Sequence, residues 1–290
     1  MPEFLEILKA IFIGIVEGIT EWLPISSTGH MIIIDNYIQL AQDEYFKDMF
    51  FVVIQLGAIL AVPLLFFNKL NPFSKKKSEE QRKSTLSVWL KVIVGALPAA
   101  VIGLLLDDIL EKYLMTPIVI AIALVVYGVA FIVVERIKTK QQRRGVEYRV
   151  KDVADLSYKD ALVIGSFQVL SLIPGTSRSG STILGGLLTG VSRVAAAEFS
   201  FFMAIPIMLG ASLYKMLKYV LYVADGVTSV DGLKIGVLLV GMTVAFGVSL
   251  AAIKFLMDFV KRHSFTAFGI YRIVLGVIVI GELIIRSIVT

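Results

Sequence analysis

The sequence predicts an all-α polytopic membrane protein of about six transmembrane helices plus two re-entrant helical hairpins, arranged as two inverted-topology repeats. Three observations carry that expectation. Hydrophobic residues make up 57% of the 290, above the ~45–50% of soluble domains, and the mean hydropathy is +0.84. Six stretches of roughly 18 or more residues are nearly free of charge, long enough to cross a bilayer core. A polar, Pro-interrupted motif occurs once in each half of the chain.

In chain order, residues 4–23 and 26–40 read as the first hairpin, broken at Pro24, because proline ends a helix and Ser or Thr starts the next as an N-cap. Plain spans follow at 46–67, 89–106 and 117–134. The second hairpin, 160–173 and 177–189, breaks at Pro174. Three more spans follow at 199–223, 233–253 and 265–285. The length suits one membrane domain, 1–290, with repeat one about 1–135, a loop at 136–159 and repeat two about 160–290. Three spans is an odd number, so the second repeat enters from the opposite side. Non-helical backbone at membrane depth needs cover from protein or a water-filled cavity, so the two Pro turns are expected to meet inside the bundle, as in other inverted-repeat folds.

Charge sets the orientation. The loop at 68–91 carries Lys69, Lys75, Lys76, Lys77, Arg82, Lys83 and Lys91, and the loop at 136–159 is equally basic. The intervening loops at 107–116 and 224–232 hold only Lys112. The positive-inside bias places the basic loops in the cytoplasm and both termini outside. The net charge of +5 therefore reflects topology and implies no nucleic-acid partner. The start, Met1-Pro2-Glu3-Phe4, lacks the basic region of a cleaved signal. No cysteine is present and only two histidines, His30 and His263, which excludes disulfides, thiolate metal sites and a His-rich metal cage.

The chemistry is concentrated in "EGITEWLPISSTGH" (17–30) and "PGTSRSGST" (174–182). Glu17 and Glu21 share a helix face; their repulsion in apolar surroundings calls for a cation or a proton. Ser26, Ser27 and Thr28 open a helix whose free N–H groups suit an anion. His30 lies three residues after Ser27, a spacing that permits a hydroxyl–base pair; capping alone would also account for these residues. In the second motif Ser177, Ser179 and Thr182 supply hydroxyls. Arg178 supplies a fork suited to phosphate, in a place where a charge defaults to function. Pro24 aligns with Pro174 and Ser27 with Ser177, about half the chain apart. Arg193 and Glu198 sit close enough to pair with each other, and Gln55 and Gln168 lie where they would line the cavity. An acid, a hydroxyl, a base and a phosphate clamp suit phosphoryl transfer, which depends mostly on positioning and charge stabilisation.

These two motifs, with "VVIQLGAILAV" and "AAEFSFFMAIPIMLGAS", resemble the bacterial undecaprenyl-diphosphatase family, also called the bacitracin resistance protein family. The resemblance implies a plasma-membrane (inner-membrane) enzyme of cell-wall synthesis. It would hydrolyse undecaprenyl diphosphate to undecaprenyl phosphate and inorganic phosphate, recycling the lipid carrier and conferring bacitracin resistance. It also implies a homodimer, a divalent cation (Mg²⁺ or Ca²⁺) and a site reached from the outer, periplasmic face. The family's Glu-x-x-x-Glu maps onto Glu17 and Glu21, and its serine and histidine onto Ser27 and His30. Its Pro-Gly-x-Ser-Arg-Ser-x-x-Thr motif maps onto Pro174, Gly175, Ser177, Arg178, Ser179 and Thr182. On this reading Ser27 attacks the terminal phosphorus and His30 takes or relays its proton. Ser26, Thr28, Ser177, Arg178, Ser179 and Thr182 hold phosphate oxygens, and Glu17 and Glu21 bind the cation or orient His30. Ser26 or His30 as nucleophile stays open. The competing expectation is an inverted-repeat transporter or flippase for a prenyl-phosphate lipid, since fold alone does not settle function. A phosphatase class with two site histidines is disfavoured, because no histidine follows Arg178 before His263.

Overall fold

A computed structural model describes the backbone of residues 2–35 and 37–289, and the side chains outside 1–2, 36, 107–112 and 286–290. The described residues are almost entirely helical. Helix α1 (Pro2–Thr20) and helix α2 (Ser27–Asp35) flank the first turn. Then come α3 (Glu44–Ile59), α4 (Ala61–Leu65), α5 (Phe67–Leu70), α6 (Glu79–Leu114) and α7 (Pro117–Arg143). The second half holds α8 (Tyr158–Val169), α9 (Arg178–Leu188), α10 (Arg193–Ala224), α11 (Gly232–Arg262) and α12 (Thr266–Val289).

Local chemistry explains the boundaries. Asp43, Thr116, Ser192 and Asp231 each cap the next helix through a side-chain oxygen, satisfying a backbone N–H that has no helical partner. Ser78 with Gln81 and Ser157 with Asp160 form capping boxes. The first span is interrupted at Leu60, where Pro63 cannot donate to the preceding turn. Pro24 and Pro174 lie outside helices, as expected. Helix α2 stops at Asp35, short of the 26–40 expected.

Among the described residues, six helices are long and apolar enough to cross a membrane: Glu44–Leu65, Glu79–Leu106, Pro117–Arg143, Arg193–Ala224, Gly232–Arg262 and Thr266–Ile285. The protein is thus an all-α, six-span membrane protein. Caps and charged helix ends extend several of these beyond the apolar stretches read from sequence. Helix α1 packs along α11 and α8 along α6, while α7 lies against α12 and α3 against α10. The α7–α12 contact is a backbone approach. A Cβ on Gly128 would lie 2.7 Å from the Gly269 carbonyl, and one on Gly269 2.8 Å from that of Gly128. Only small residues permit this, and close approach is what drives helix association where lipid removes the hydrophobic incentive.

Ion pairs tie the loop ends. Arg193 binds Glu135 through Nε (2.9 Å) and a terminal nitrogen (2.6 Å), and Glu135 also accepts the Phe265 N–H. Lys69 binds Glu198 at 2.6 Å, and Arg149 binds Asp160. The expected Arg193–Glu198 pair is therefore not made. The two residues lie more than one turn apart on α10, and each has a better-placed partner on another element.

Candidate active site

The two Pro turns come together. At the end of α1 the chain leaves the helix through a turn over Glu21–Ile25 and restarts at Ser27. After α8 a short 3-10 segment, Leu170–Leu172, leads into Pro174 and then α9. Ser26 (φ 77°) and Ser177 (φ 73°) are the non-glycine residues with left-handed backbone among those described. Such a conformation is uncommon outside glycine, and strain of this kind gathers at functional sites. Each serine caps its helix three residues on: Gly29 N–H donates to Ser26 Oγ at 3.2 Å, and Gly180 N–H to Ser177 Oγ at 3.1 Å. The structural partner of Ser177 is thus Ser26, not Ser27 as the sequence alignment had it. The second turn holds one more residue between proline and cap, which shifts the register by one. Ser27 then occupies the place of Arg178.

Those two residues converge on Glu21. The Ser27 hydroxyl donates to Glu21 Oε2. Arg178 donates to Oε1 through Nε at 3.3 Å and through a terminal nitrogen at 2.9 Å. Arg178 also donates to the Ser200 carbonyl at 3.0 Å and lies 6.0 Å from the Trp22 ring centroid, within cation–π range. Glu17, one turn before Glu21, is fully buried, and neither carboxylate oxygen has a hydrogen-bond partner among the described residues.

The rest of the expected set divides. Ser179 and Thr182 are fully buried. Ser179 bonds the Glu21 and Leu23 carbonyls, both at 3.4 Å, and Thr182 donates to Ser200 Oγ at 2.7 Å. Both hydroxyls hold turn against turn or helix against helix. Ser177 and Thr28 stay partly open. His30 does not reach Ser27: its Nδ1 bonds the Ser26 carbonyl at 2.7 Å and its Nε2 the Tyr271 hydroxyl at 2.8 Å. A carbonyl only accepts, so Nδ1 carries a proton, and in the neutral ring Nε2 then accepts from the Tyr271 O–H. The Ser27–His30 bond expected from spacing is absent because the α2 cap turns the imidazole back onto its own turn.

Comparison with known proteins places this geometry. The profile described as "Bacitracin resistance protein BacA" matches residues 10–278. The chain belongs to the BacA family. It is 57% identical over 280 residues to an undecaprenyl-diphosphatase of Enterococcus faecalis, covering 96% of this chain and 97% of that one. A Streptococcus thermophilus undecaprenyl-diphosphatase (strain ATCC BAA-250 / LMG 18311) is 54% identical over 276 residues, 95% of this chain and 93% of its own. One from Lactococcus lactis subsp. cremoris (strain SK11) is 54% identical over 282 residues, 95% and 96% of the two chains.

The BacA-family match spans both turns and also α12 through Arg272, a residue that sequence reasoning missed. Arg272 is fully buried. It donates to the Pro24 carbonyl at 3.1 Å, to Gly175 at 2.6 Å and to Thr176 at 2.9 Å. One guanidinium thus closes the non-helical backbone of both turns, whose carbonyls have no ladder partner. The signal was available: an arginine inside a long apolar span is costly and marks function by default. Gln168, by contrast, is buried, with both amide atoms unpartnered among the described residues.

A divalent cation fits the first turn in part. The orphaned, buried Glu17 oxygens beside Glu21 are a donor set that suits a hard cation. Among the described residues no group of three His, Asp or Glu forms a cage. Such an ion would draw its remaining ligands from phosphate and water, as magnesium commonly does.

Proposed function

We propose that this BacA-family chain hydrolyses undecaprenyl diphosphate to undecaprenyl phosphate and inorganic phosphate in the bacterial plasma membrane, and thereby contributes to cell-wall carrier recycling and bacitracin resistance. The single observation that carries the reading is the Ser27–Glu21–Arg178 constellation in a chain more than half identical to curated undecaprenyl-diphosphatases. A hydroxyl, its proton acceptor and a phosphate fork meet at one carboxylate.

In the reaction, Ser27 Oγ attacks the terminal phosphorus. The anhydride P–O bond breaks, undecaprenyl phosphate leaves, and the Ser27 proton passes to Glu21. Water then cleaves the seryl phosphate and frees inorganic phosphate. Arg178, Ser177, Thr28 and the backbone N–H groups at the starts of α2 and α9 bind the phosphate oxygens, where developing charge is stabilised. His30, locked between Ser26 and Tyr271, holds the first turn rather than taking the proton. Glu17 and Glu21 would hold Mg²⁺ or Ca²⁺, which neutralises diphosphate charge when bound.

The same reading makes the two turns the tips of re-entrant hairpins in two inverted repeats. It is supported by the twin left-handed serines and by the exchanged packing, α1 on α11 matching α8 on α6. The charge bias supports cytoplasmic basic loops and outer termini, and a site open to the periplasmic side is part of the proposal on family grounds alone. A homodimer is part of the proposal on family grounds alone. The test is phosphate release from undecaprenyl diphosphate by purified protein in detergent. Release without a second compartment supports the enzyme. Binding with no release would favour a prenyl-phosphate transporter instead.

A further inference from the structure

Two polar bridges join α2 and its following turn to α12. Nearer the paired turns, His30 meets the Tyr271 hydroxyl at 2.8 Å; farther out, the Tyr37 hydroxyl donates to Glu282 Oε1 at 2.6 Å. The same crevice holds a cavity of about 90 Å³, lined by Ile32, Ile33, Pro117, Ile120, Val279 and Leu283, with Glu282 at its rim.

The lining residues share helix faces with the residues of the site. On α2, Ile33 follows His30 by three positions and precedes Tyr37 by four, so the three form one stripe. On α12, Val279 and Leu283 follow Arg272 by seven and eleven positions, again one stripe. They therefore extend the side of α12 whose Arg272 holds the Pro24, Gly175 and Thr176 carbonyls. Ile120 is common to cavity and turns. Its Cγ2 lies 3.4 Å from where a Cβ on Gly29 would sit, and its carbonyl oxygen 2.6 Å from one on Gly175. One side chain thus separates the cavity from the phosphate-binding turns.

Size and charge name the occupant. On the scale of a ~150 Å³ apolar cavity that takes a benzene ring, this space holds about four carbons, most of one isoprene unit. Glu282 stands at the end away from the turns. An anionic phospholipid seated from there would set its phosphate against that carboxylate. A chain whose anion lies at the turns keeps its charge at the opposite end. Resting on the prenyl-diphosphate reading of the site, we propose that this cavity seats the isoprene unit next to the diphosphate. Ile33, Val279 and Leu283 then select the tail while the turns hold the phosphates.

The test is photolabelling of the detergent-purified full chain with a farnesyl diphosphate analogue that carries a diazirine on its first isoprene unit. Peptide mass spectrometry should find the label on Ile33, Val279 or Leu283. Farnesyl diphosphate should displace it, and phosphatidylglycerol at the same concentration should not. Val279→Phe and Ile33→Phe fill the space from its two sides. Each should raise KM for farnesyl diphosphate about tenfold, the worth of roughly two buried methylene groups, and leave kcat unchanged. Ile278→Phe, the same change on an exposed neighbour that does not line the cavity, should leave both constants unchanged. Label confined to other segments, equal displacement by phosphatidylglycerol, or an unchanged KM in both filled variants overturns the proposal. Label in the cavity of a chain that releases no phosphate would uphold the seat for the prenyl chain and refute the hydrolysis.

Discussion

The Glu21 carboxylate joins the two halves of the chain: one oxygen accepts the Ser27 hydroxyl and the other accepts the Arg178 guanidinium at 2.9 Å. Both side chains of the ion pair are largely buried, Arg178 12% and Glu21 7% exposed. Breaking such a pair leaves an uncompensated charge, which costs more than the pair itself contributes. A single residue therefore sets nucleophile, clamp and contact between turns.

Glu21→Gln separates these roles. The amide keeps the shape and still accepts from Arg178, but it no longer takes the Ser27 proton. Phosphate release should fall on the order of 10²–10⁴-fold, the range for a lost general base. A thermal melt should show a folded protein. A rate within a few fold of wild type would remove Glu21 from the proton path.

The two adjacent serines should behave differently. Ser27→Ala removes the attacking oxygen and should abolish turnover. Ser26→Gly loses a cap, by Gly replacement only a few tenths of a kcal/mol, while glycine relieves the left-handed backbone at φ 77°. That variant should melt near wild type and keep most activity. Ser177→Gly, at φ 73°, should show the same stability pattern. Trapping the phosphoenzyme and mapping it by peptide mass spectrometry gives an independent check, with phosphate expected on Ser27. Phosphate on His30 or Ser26 would reassign the nucleophile.

The spans were readable because length and hydropathy alone decide them. So was the meeting of the turns, because irregular backbone in so apolar a bundle demands cover. Register was harder: Ser27 and Ser177 align by proline spacing, yet the extra residue in the second turn makes Ser26 the match. The His30 geometry was also beyond the sequence. A three-residue spacing permits a bond to Ser27, but the choice between Ser27 and the Ser26–Tyr271 bridge depends on α12, far along the chain. Arg193 and Glu198 show the same limit, since each pairs with a residue on another element. Local spacing lists the possible partners, and tertiary packing selects among them.

Arg272 should prove to be the residue that positions the turns. Arg272→Met removes donors to the Pro24, Gly175 and Thr176 carbonyls. Each buried group left unpaired costs about 1–3 kcal/mol, so the melting temperature and turnover should both fall. Arg272→Lys keeps the charge but not the planar fork. It should restore stability in part while kcat stays low, because one ammonium does not span both turns. Loss of kcat without any loss of stability would argue that Arg272 touches substrate instead.

Glu17 tests the cation. Its two buried oxygens have no partner among the described residues, so the carboxylate needs a counter-charge or a proton. If a divalent ion serves, chelation should stop phosphate release and Mg²⁺ or Ca²⁺ should restore it. Glu17→Gln removes one of only two carboxylates at the turn. The ion concentration for half-maximal activity should then rise by about tenfold, equivalent to ~1.4 kcal/mol of binding. Direct titration of the ion by calorimetry, without substrate, should show the same weakening. If Glu17 is instead held neutral by a proton, Glu17→Gln is nearly isosteric with the protonated acid. Activity and ion dependence would then both be unchanged, and the cation would have to be placed on the substrate alone.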